Sequence, residues 1–412
     1  MSKTKIKSIK ARQITGSLGK PAIEVDVTLR FNAQGRVSAS LSSIANLVAD
    51  ELLNAITLIN TGLHKKLKGQ NVQDPSEIDQ VLLEFLVSHP NCRPLRSIIR
   101  AVSMAILYAL ADTEKIPLWQ YIGIFMGKSS SNTLPLPIFE LLSKSGPNTE
   151  TLNAQSFSII PMGATHFSDG ISWCQNVRVK MLELVSDESV LNDTHALDIL
   201  TRSIGLAGFQ PGIDVGIALN IKASSFHSNG MYHLTNEIPP LTRDELSGRL
   251  VDWLEKFPII SIEAPFSDDD LEGFSRFTWA VGKRVQIITN HNDKAALDVF
   301  KKITDQKAGN ALNLKIDCTA TLSTALALLD AAKANSFSGV ISTDTGILDQ
   351  TLPIHLAVGC GINQIKFRTF IHAQSISNWN EGIRIAEDIF EGNGKTGSIN
   401  GALPPSNTFP WA

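Results

Sequence analysis

Residues 5–40 alternate between apolar and polar side chains, which is the pattern of half-buried strands. The clearest stretch is "AIEVDVTLRF", which puts Ile23, Val25 and Val27 on one face. The segment "GRVSASLSS" continues the pattern as another strand. Between residues 41 and 122 the apolar positions change to a helical spacing. A block of strands followed by a block of helices predicts an α+β domain.

The pattern changes again after "MGKSSSNTLPLP", residues 126–137, whose Gly, Ser and Pro content predicts a linker. Short runs rich in Val, Ile and Leu then alternate with helical segments. These runs are "FSIIPMGA", "DVGIALNIK", "PIISIEAPF", "VQIITN", "ALNLKID", "SGVISTD" and "NQIKF". Each ends in polar or charged residues, as parallel strands do when both faces are buried and function lies at their C-terminal ends. A spacing of roughly 25 residues per unit fits a (β/α) barrel.

The composition argues against several classes of protein, including nucleic-acid-binding and membrane-spanning proteins. The chain has 412 residues, 43% of them hydrophobic, and a net charge of −3. No basic cluster of the kind that binds nucleic acid is visible, and no run of about 18 apolar residues predicts a membrane span. The four cysteines are far apart and lack CxxC spacing, which argues against a disulfide framework or a zinc site. A reducing, cytoplasmic setting is the simplest fit.

Polar side chains follow the predicted barrel strands, where catalytic groups of such barrels lie. They are Asn220, Glu263, Asn290, Lys315, Thr343, Asp344 and Lys366. Two lysines close together would lower each other's pKa, and a lysine tuned in this way can act as a general base. The alternative is that both lysines pair with Glu263 in a buried ion network without chemistry. The residues alone leave both interpretations open.

Common catalytic motifs are missing from the sequence. No HExxH, GxGxxG, P-loop or GxSxG occurs, which argues against several enzyme classes. The lone histidines of "SHPNC", "THFSDG" and "SSFHSNG" are interpreted as surface or structural residues. In "SIEAPFSDDD", the acids 268–270 are interpreted as the N-terminus of a helix.

Several stretches in the same order resemble enolase, phosphopyruvate hydratase. They are "ARQITGSLGKPAIEVDVTL", "LPLPIFELL", "QSFSIIPMGATHFSDGI", "SIEAPFSDDD", "ALNLKIDCTATLSTAL", "ISTDTGILDQTLPIHLAVG" and "NQIKF". The resemblance covers nearly the whole chain. It implies an α/β protein of the enolase fold, with an N-terminal α+β domain over 1–130 and a C-terminal (β/α)8-type TIM barrel over 131–412. It also implies a dimer.

The resemblance puts the metal ligands in question. Enolases hold one Mg²⁺ with three acids at barrel strand ends, and the matching residues here are Asn220, Glu263 and Asn290. Amides ligate Mg²⁺ without contributing charge. Losing two negative charges should weaken the site on the order of 10³-fold or more. We therefore expect no cofactor, with Mg²⁺ only if activity is retained.

The phosphate-binding motif is altered as well. The family's "SHRSG" reads "STDTG" here, so that Asp344 replaces the arginine and Thr345 replaces the second, substrate-binding serine. A carboxylate would repel a phosphate that an arginine would clamp. The family's "QEF" glutamate is Ser156. Enolases carry a mobile loop near their N-terminus, and the matching segment of this chain is about fifteen residues shorter. Such loops close over a bound substrate, so the shorter segment weakens the expectation of a closed active site.

Other catalytic positions are retained. Lys315 matches the general base of enolase, and Lys366 matches its carboxylate-binding lysine. The segment "VSDESVLND" puts Glu188 at the general-acid position, as a vestigial catalytic residue. Whether the chain is an enzyme stays open, because the two metal-site asparagines and Asp344 argue against full activity.

Three hypotheses follow. The first is a catalytically impaired or inactive structural or regulatory subunit, which pairs with itself or with another enolase chain. The second is a functional enolase that interconverts 2-phosphoglycerate and phosphoenolpyruvate in glycolysis with Mg²⁺. The third is a sensor for another anion, held by Lys315 and Lys366. All three predict a cytoplasmic protein with no nucleic-acid or membrane partner.

Overall fold

A computed structural model describes most of the chain. The described residues are 2–16, 19–41, 44, 46–127, 133–144, 151–187, 190–235, 237–290, 296–342, 351–367, 373–392, 401–405 and 408–410, without the side chains of 187, 290, 296, 373, 374, 391 and 392. They cluster into two units. The first comprises the described parts of Met1–Ser131, Lys315–Asp330 and Thr343–Cys360, and the second those of Asn132–Leu314, Ala331–Ser342 and Gly361–Ala412. The division at residue 130 stays a prediction.

The N-terminal strands form an antiparallel sheet in the order β1-β2-β3. The strands are β1 (Ile6–Thr15), β2 (Pro21–Leu29) and β3 (Gln34–Ser40). The apolar residues Ile23, Val25 and Val27 of β2 have no exposed surface. The period-two pattern therefore gives the buried face that it predicts.

Helical segments follow this sheet along the chain, and the longest of them packs against β2 and β3. They are α1 (Ala49–Thr57), a π-helical segment (Leu58–Leu63), α2 (His64–Leu67), α3 (Pro75–Val87), α4 (Leu95–Glu114) and α5 (Leu118–Phe125). Helix α3 begins where Asp74 accepts a hydrogen bond from the Ser76 amide, a standard N-cap. Helix α4 lies so close to β3 that a Cβ added at Gly35 would stand 1.9 Å from the Ala105 carbonyl oxygen. The contact between sheet and helix therefore requires glycine at this position.

Eight strands close into a barrel in the order β10-β11-β12-β13-β4-β5-β6-β9. They are β4 (Leu136–Ser143), β5 (Ser156–Ile160), β6 (Gly216–Asn220), β9 (Ile259–Glu263), β10 (Gln286–Asn290), β11 (Ala311–Lys315), β12 (Ser338–Ser342) and β13 (Gln364–Phe367). A two-stranded hairpin consists of β7 (His227–Ser228) and β8 (Met231–Tyr232). The remaining helices are α6 (Phe167–Asp187), α7 (Asp193–Leu206), α8 (Arg243–Lys256), α9 (Leu271–Val281), α10 (Ala296–Asp305), α11 (Leu322–Ala334), α12 (Leu352–Gly359) and α13 (Ala373–Gly392). The predicted fold class, an N-terminal α+β part followed by an eight-stranded α/β barrel, is confirmed.

One strand differs from the prediction that all the apolar runs form parallel strands. Strand β5 runs antiparallel to both of its neighbours, β4 and β6. No described helix lies between β4 and β5, and a parallel connection needs a crossover of a dozen or more residues, usually helical. Strand β4 itself is the eighth strand, and it lies within the segment "LPLPIFELL" rather than in one of the seven runs.

The interior of the barrel contains a polar layer near the N-terminal ends of its strands. Ser261 Oγ donates to Gln286 Oε1 at 3.0 Å, and Gln286 Nε2 donates to Gln364 Oε1 at 2.5 Å. The same Gln286 nitrogen lies 2.9 Å from Ser338 Oγ. Buried amides are tolerated in a core when they bond to one another in this way.

The close contact at Gly35 yields the first prediction. Gly35→Ala should destabilise the protein by about 3 kcal/mol, the upper end of what overpacking costs, because the new methyl group collides with the α4 backbone. The matched control is Gly205→Ala in α7, where an added Cβ has no atom within 4 Å and alanine should be neutral or stabilising by up to about 1 kcal/mol. Equilibrium urea unfolding of both variants measures the difference. Equal stability of the two would refute the close packing of β3 on α4.

Candidate functional site at the barrel mouth

Polar side chains gather where the parallel barrel strands end, and we call this end the barrel mouth. Asn220 ends β6, Glu263 ends β9 and Ser342 ends β12. Asn220 and Glu263 are register partners on adjacent strands, so their side chains point to the same face of the sheet. The apolar residues of each strand fix this arrangement, because they leave only the terminal polar residue at the open end.

Glu263 and Lys366 form an ion pair at the mouth. Lys366 Nζ lies 2.6 Å from Glu263 Oε2, and the two side chains are only 13% and 3% exposed. Their strands, β13 and β9, stand four places apart in either direction around the eight-stranded barrel. The bond therefore spans the interior between opposite strands. The sequence left open whether the lysines act as a general base or pair with Glu263. For Lys366, the structure shows pairing with Glu263.

The second oxygen of Glu263 is also engaged. Asn313 Nδ2 donates to Glu263 Oε1 at 2.9 Å, and Ser342 Oγ donates to Asn313 Oδ1 at 2.7 Å. Asn313 is 1% exposed. Sequence reasoning missed this residue, although an asparagine inside the apolar run "ALNLKID" gave a signal. It lies two residues before Lys315, and period two puts both on one face of β11.

Two other oxygens at the mouth have no hydrogen-bond partner among the described residues. They are Asn220 Oδ1 and Ser156 Oγ, and both are buried. Ser156 of β5 is the register partner of Asn220. A buried acceptor without a donor costs about 1–3 kcal/mol. This side of the mouth can therefore accept hydrogen bonds, whereas the oxygens of Glu263 and Asn313 already do so.

Comparison with known proteins agrees with the fold and with the order of the motifs. Residues 6–122 match the family model of the enolase N-terminal domain, and residues 131–401 match that of the enolase C-terminal TIM barrel domain. The chain belongs to the enolase family. It is 31% identical to enolase 1 of Desulfitobacterium hafniense (strain Y51), over 93% of this chain and 94% of that protein. It is 28% identical to the enolase of Anaplasma marginale (strain St. Maries), over 94% and 95% of the two chains.

The described donors do not fit the Mg²⁺ that enolases use. In the part of the chain that the structure describes, no group of three or more His, Cys, Asp or Glu residues could hold a metal ion. Glu263 is the one acid among the three residues that the sequence resemblance predicts as metal ligands, and an ammonium and an amide already bind its carboxylate. Mg²⁺ requires near-octahedral oxygen ligands and gives up its water reluctantly. It would have to displace Lys366 before it reached this carboxylate.

The other predicted site residues lie in different places. Lys315 ends β11 and belongs to the first unit, whereas Glu263 and Lys366 belong to the second. Asn290 ends β10 and pairs through its backbone with Asn313, but its side chain is not among those described. Glu188, Asp344 and Thr345 lie outside the described residues. Their roles stay predictions.

A second polar cluster supports the segment that follows Glu263. Asp270 accepts hydrogen bonds from Tyr232 Oη and from Arg243 Nε, both at 2.9 Å. It also caps α9 by accepting a hydrogen bond from the Gly273 amide at 3.0 Å. The prediction that the acids of "SDDD" form a helix N-terminus therefore holds for Asp270. Burial raises the pKa of Tyr232 above its ordinary value. The phenol therefore stays protonated and donates to Asp270.

The buried ion pair yields the second prediction. Glu263→Gln or Lys366→Met alone should lower the free energy of unfolding by about 3–5 kcal/mol, because each leaves one buried charge without its partner. The double variant should lose clearly less than the sum. Urea unfolding of the wild type and the three variants gives the coupling energy.

A surface pair provides the control for this cycle. Arg276 and Glu272 are 62% and 55% exposed, and such pairs contribute about 0–1 kcal/mol. Arg276→Met should therefore change stability little. Additive effects of the Glu263 and Lys366 substitutions would contradict the ion pair.

Proposed function

We propose that this chain is a catalytically impaired or inactive member of the enolase family that acts as a structural or regulatory subunit. The observation that carries the proposal is the bond from Lys366 to Glu263 at 2.6 Å. The one remaining acid of the metal position is neutralised by a cation of the chain itself. A ligand site that is neutral in this way attracts a divalent cation weakly.

The chemistry of the family explains why this loss matters. Enolases abstract a weakly acidic proton next to a carboxylate, and the resulting dianion is stabilised by bound Mg²⁺. A positioned base such as Lys315 alone supplies about 10²–10⁴-fold, which is a small part of the acceleration that enzymes provide. Asp344 at the phosphate position would also lower activity, because its carboxylate would repel the substrate phosphate. We therefore attribute no efficient turnover to this barrel.

The main alternative is a functional enolase. It is favoured by the sequence similarity to proteins named enolase and by the retained Lys315. It would require Lys366 to leave Glu263 and two asparagines to hold the metal. The anion-sensor hypothesis is weaker, because the ammonium of Lys366 is already bound to a carboxylate.

We further propose that the chain forms a dimer, with a copy of itself or with another enolase chain, in the cytoplasm. The basis is the family assignment, since enolases are typically dimeric. Within the described ranges, none of the helices is both long and apolar enough to cross a membrane. A non-catalytic subunit would act through this dimer surface rather than through the mouth.

Turnover and metal binding test the proposal directly. Incubation with 2-phosphoglycerate and excess Mg²⁺ should give no phosphoenolpyruvate, and calorimetric titration with Mg²⁺ should give no heat from the barrel. An active enolase measured beside it verifies the assay. Turnover that vanishes in Lys315→Ala would establish the alternative.

Restoring carboxylates at the metal position tests whether missing negative charge is the reason for weak Mg²⁺ binding. The double variant Asn220→Asp with Asn290→Asp should gain Mg²⁺ affinity on the order of 10³-fold over the wild type, because two carboxylates return to the metal position. The matched control is Asn335→Asp, an exposed residue in the second unit that precedes β12 and so adds charge at the end of the strand remote from the mouth. Calorimetry measures both variants. Equal Mg²⁺ affinity in the double variant and the wild type would show that charge is not what the mouth lacks.

A further inference from the structure

A cluster within the first unit involves the segment that follows Lys315. After Lys315 ends β11, residues Ile316–Cys318 form a 3-10 turn, and α11 begins at Leu322. Such a segment leaves its carbonyl oxygens and the first amides of the next helix without partners of their own. Side chains of α3 and α4 supply these partners.

Two arginines of α4 bind the carbonyl oxygens of the turn. Arg100 Nη1 donates to the Asp317 carbonyl and lies 3.4 Å from the carbonyl oxygen of Thr319. Arg96 Nη2 donates to the Cys318 carbonyl at 3.2 Å. Three consecutive carbonyl groups are therefore held by two guanidinium groups, whose several fixed donors suit this task.

The first amides of α11 are held from the same side. Ser103 Oγ accepts from the Leu322 amide at 2.9 Å. Asp79 Oδ2 accepts from the amide and the hydroxyl of Ser323, at 2.8 and 2.7 Å. Ser103 and Asp79 are each 2% exposed. Side chains of α3 and α4 thus hold both the turn after β11 and the start of α11.

The sequence of α4 explains this geometry. Arg96, Arg100 and Ser103 stand at positions i, i+4 and i+7, which form one stripe along a helix. Arg100 is only 7% exposed. Arginine is rarely buried unless it is paired, and here the carbonyl groups of the turn are its acceptors. A leucine in its place would fill the volume and leave the carbonyl groups of the turn unbound. The buried arginine therefore has a specific structural task.

We propose that Arg100 is a positioning residue for Lys315. By holding the turn that begins directly after Lys315, it fixes the direction in which the chain leaves β11, and Arg96 supports it. The N-terminal helices thereby determine where the Lys315 ammonium stands. This inference does not depend on whether the barrel turns over substrate.

Chemical labelling of individual lysines tests the inference in the folded protein. The wild type, Arg100→Met, Arg100→Lys and the surface control Arg276→Met are exposed briefly to acetic anhydride, and mass spectrometry gives the rate at each lysine. In Arg100→Met, Lys315 should react at least about tenfold faster relative to Lys301 and Lys256. A factor of ten is what the loss of a single charge-assisted hydrogen bond makes in a local equilibrium, and Arg100 makes two. In Arg100→Lys, which retains a donor, the ratio should stay near that of the wild type.

A purely structural role gives a different result. If Arg100 contributes only to overall stability, all three lysines will react faster together, or the Lys315 ratio will be unchanged, and either result would overturn the proposal. If Arg100→Met does not fold, Arg96→Met decides the question. Arg96 is partly exposed, and its loss should raise the Lys315 ratio in the same direction by a smaller factor. An unchanged ratio in that variant also overturns the proposal.

Discussion

The buried ion pair between Lys366 and Glu263 is the constraint on which the mouth of this barrel depends. Removing two charges from water is costly, and the cost is offset only when their remaining atoms also find hydrogen bonds. Asn313 meets this requirement at the second carboxylate oxygen, and Ser342 in turn satisfies Asn313. Four strands are joined by one chain of polar contacts. The network engages both oxygens of the Glu263 carboxylate.

The same pair bears on our proposal that the metal position of this barrel has lost two of its acids. In a metal site, carboxylates repel one another until the cation arrives. Here the chain provides the positive charge itself, on Lys366. On this proposal Asn220 stands in place of an acid, and the ammonium of Lys366 balances the Glu263 carboxylate. We therefore propose that the two asparagines and the Lys366–Glu263 pair are parts of one change, in which an internal cation takes the place of a metal ion.

Much of the fold could be predicted from the sequence, and parts of the site could not. Alternation in β2 predicts the buried face of the sheet, and Val/Ile/Leu-rich runs predict barrel strands. The direction of β5 is not encoded in its apolar run, because a strand buried on both faces has the same composition in either direction. Pairing of Lys366 with Glu263 was one of two open interpretations, since choosing it requires knowing that β9 and β13 stand opposite each other. The role of Arg100 depends on contacts more than 200 residues apart in sequence, which periodicity does not reveal.

Crystals soaked in MnCl₂ would test the central claim most directly, because Mn²⁺ accepts the oxygen ligands of Mg²⁺ and can be located by its anomalous signal. The account predicts no anomalous peak next to Glu263, with Lys366 Nζ still within hydrogen-bond distance of the carboxylate. A Mn²⁺ peak bound to Glu263 and Asn220, with Lys366 displaced from the carboxylate, would contradict it and make the chain a metal-binding enolase.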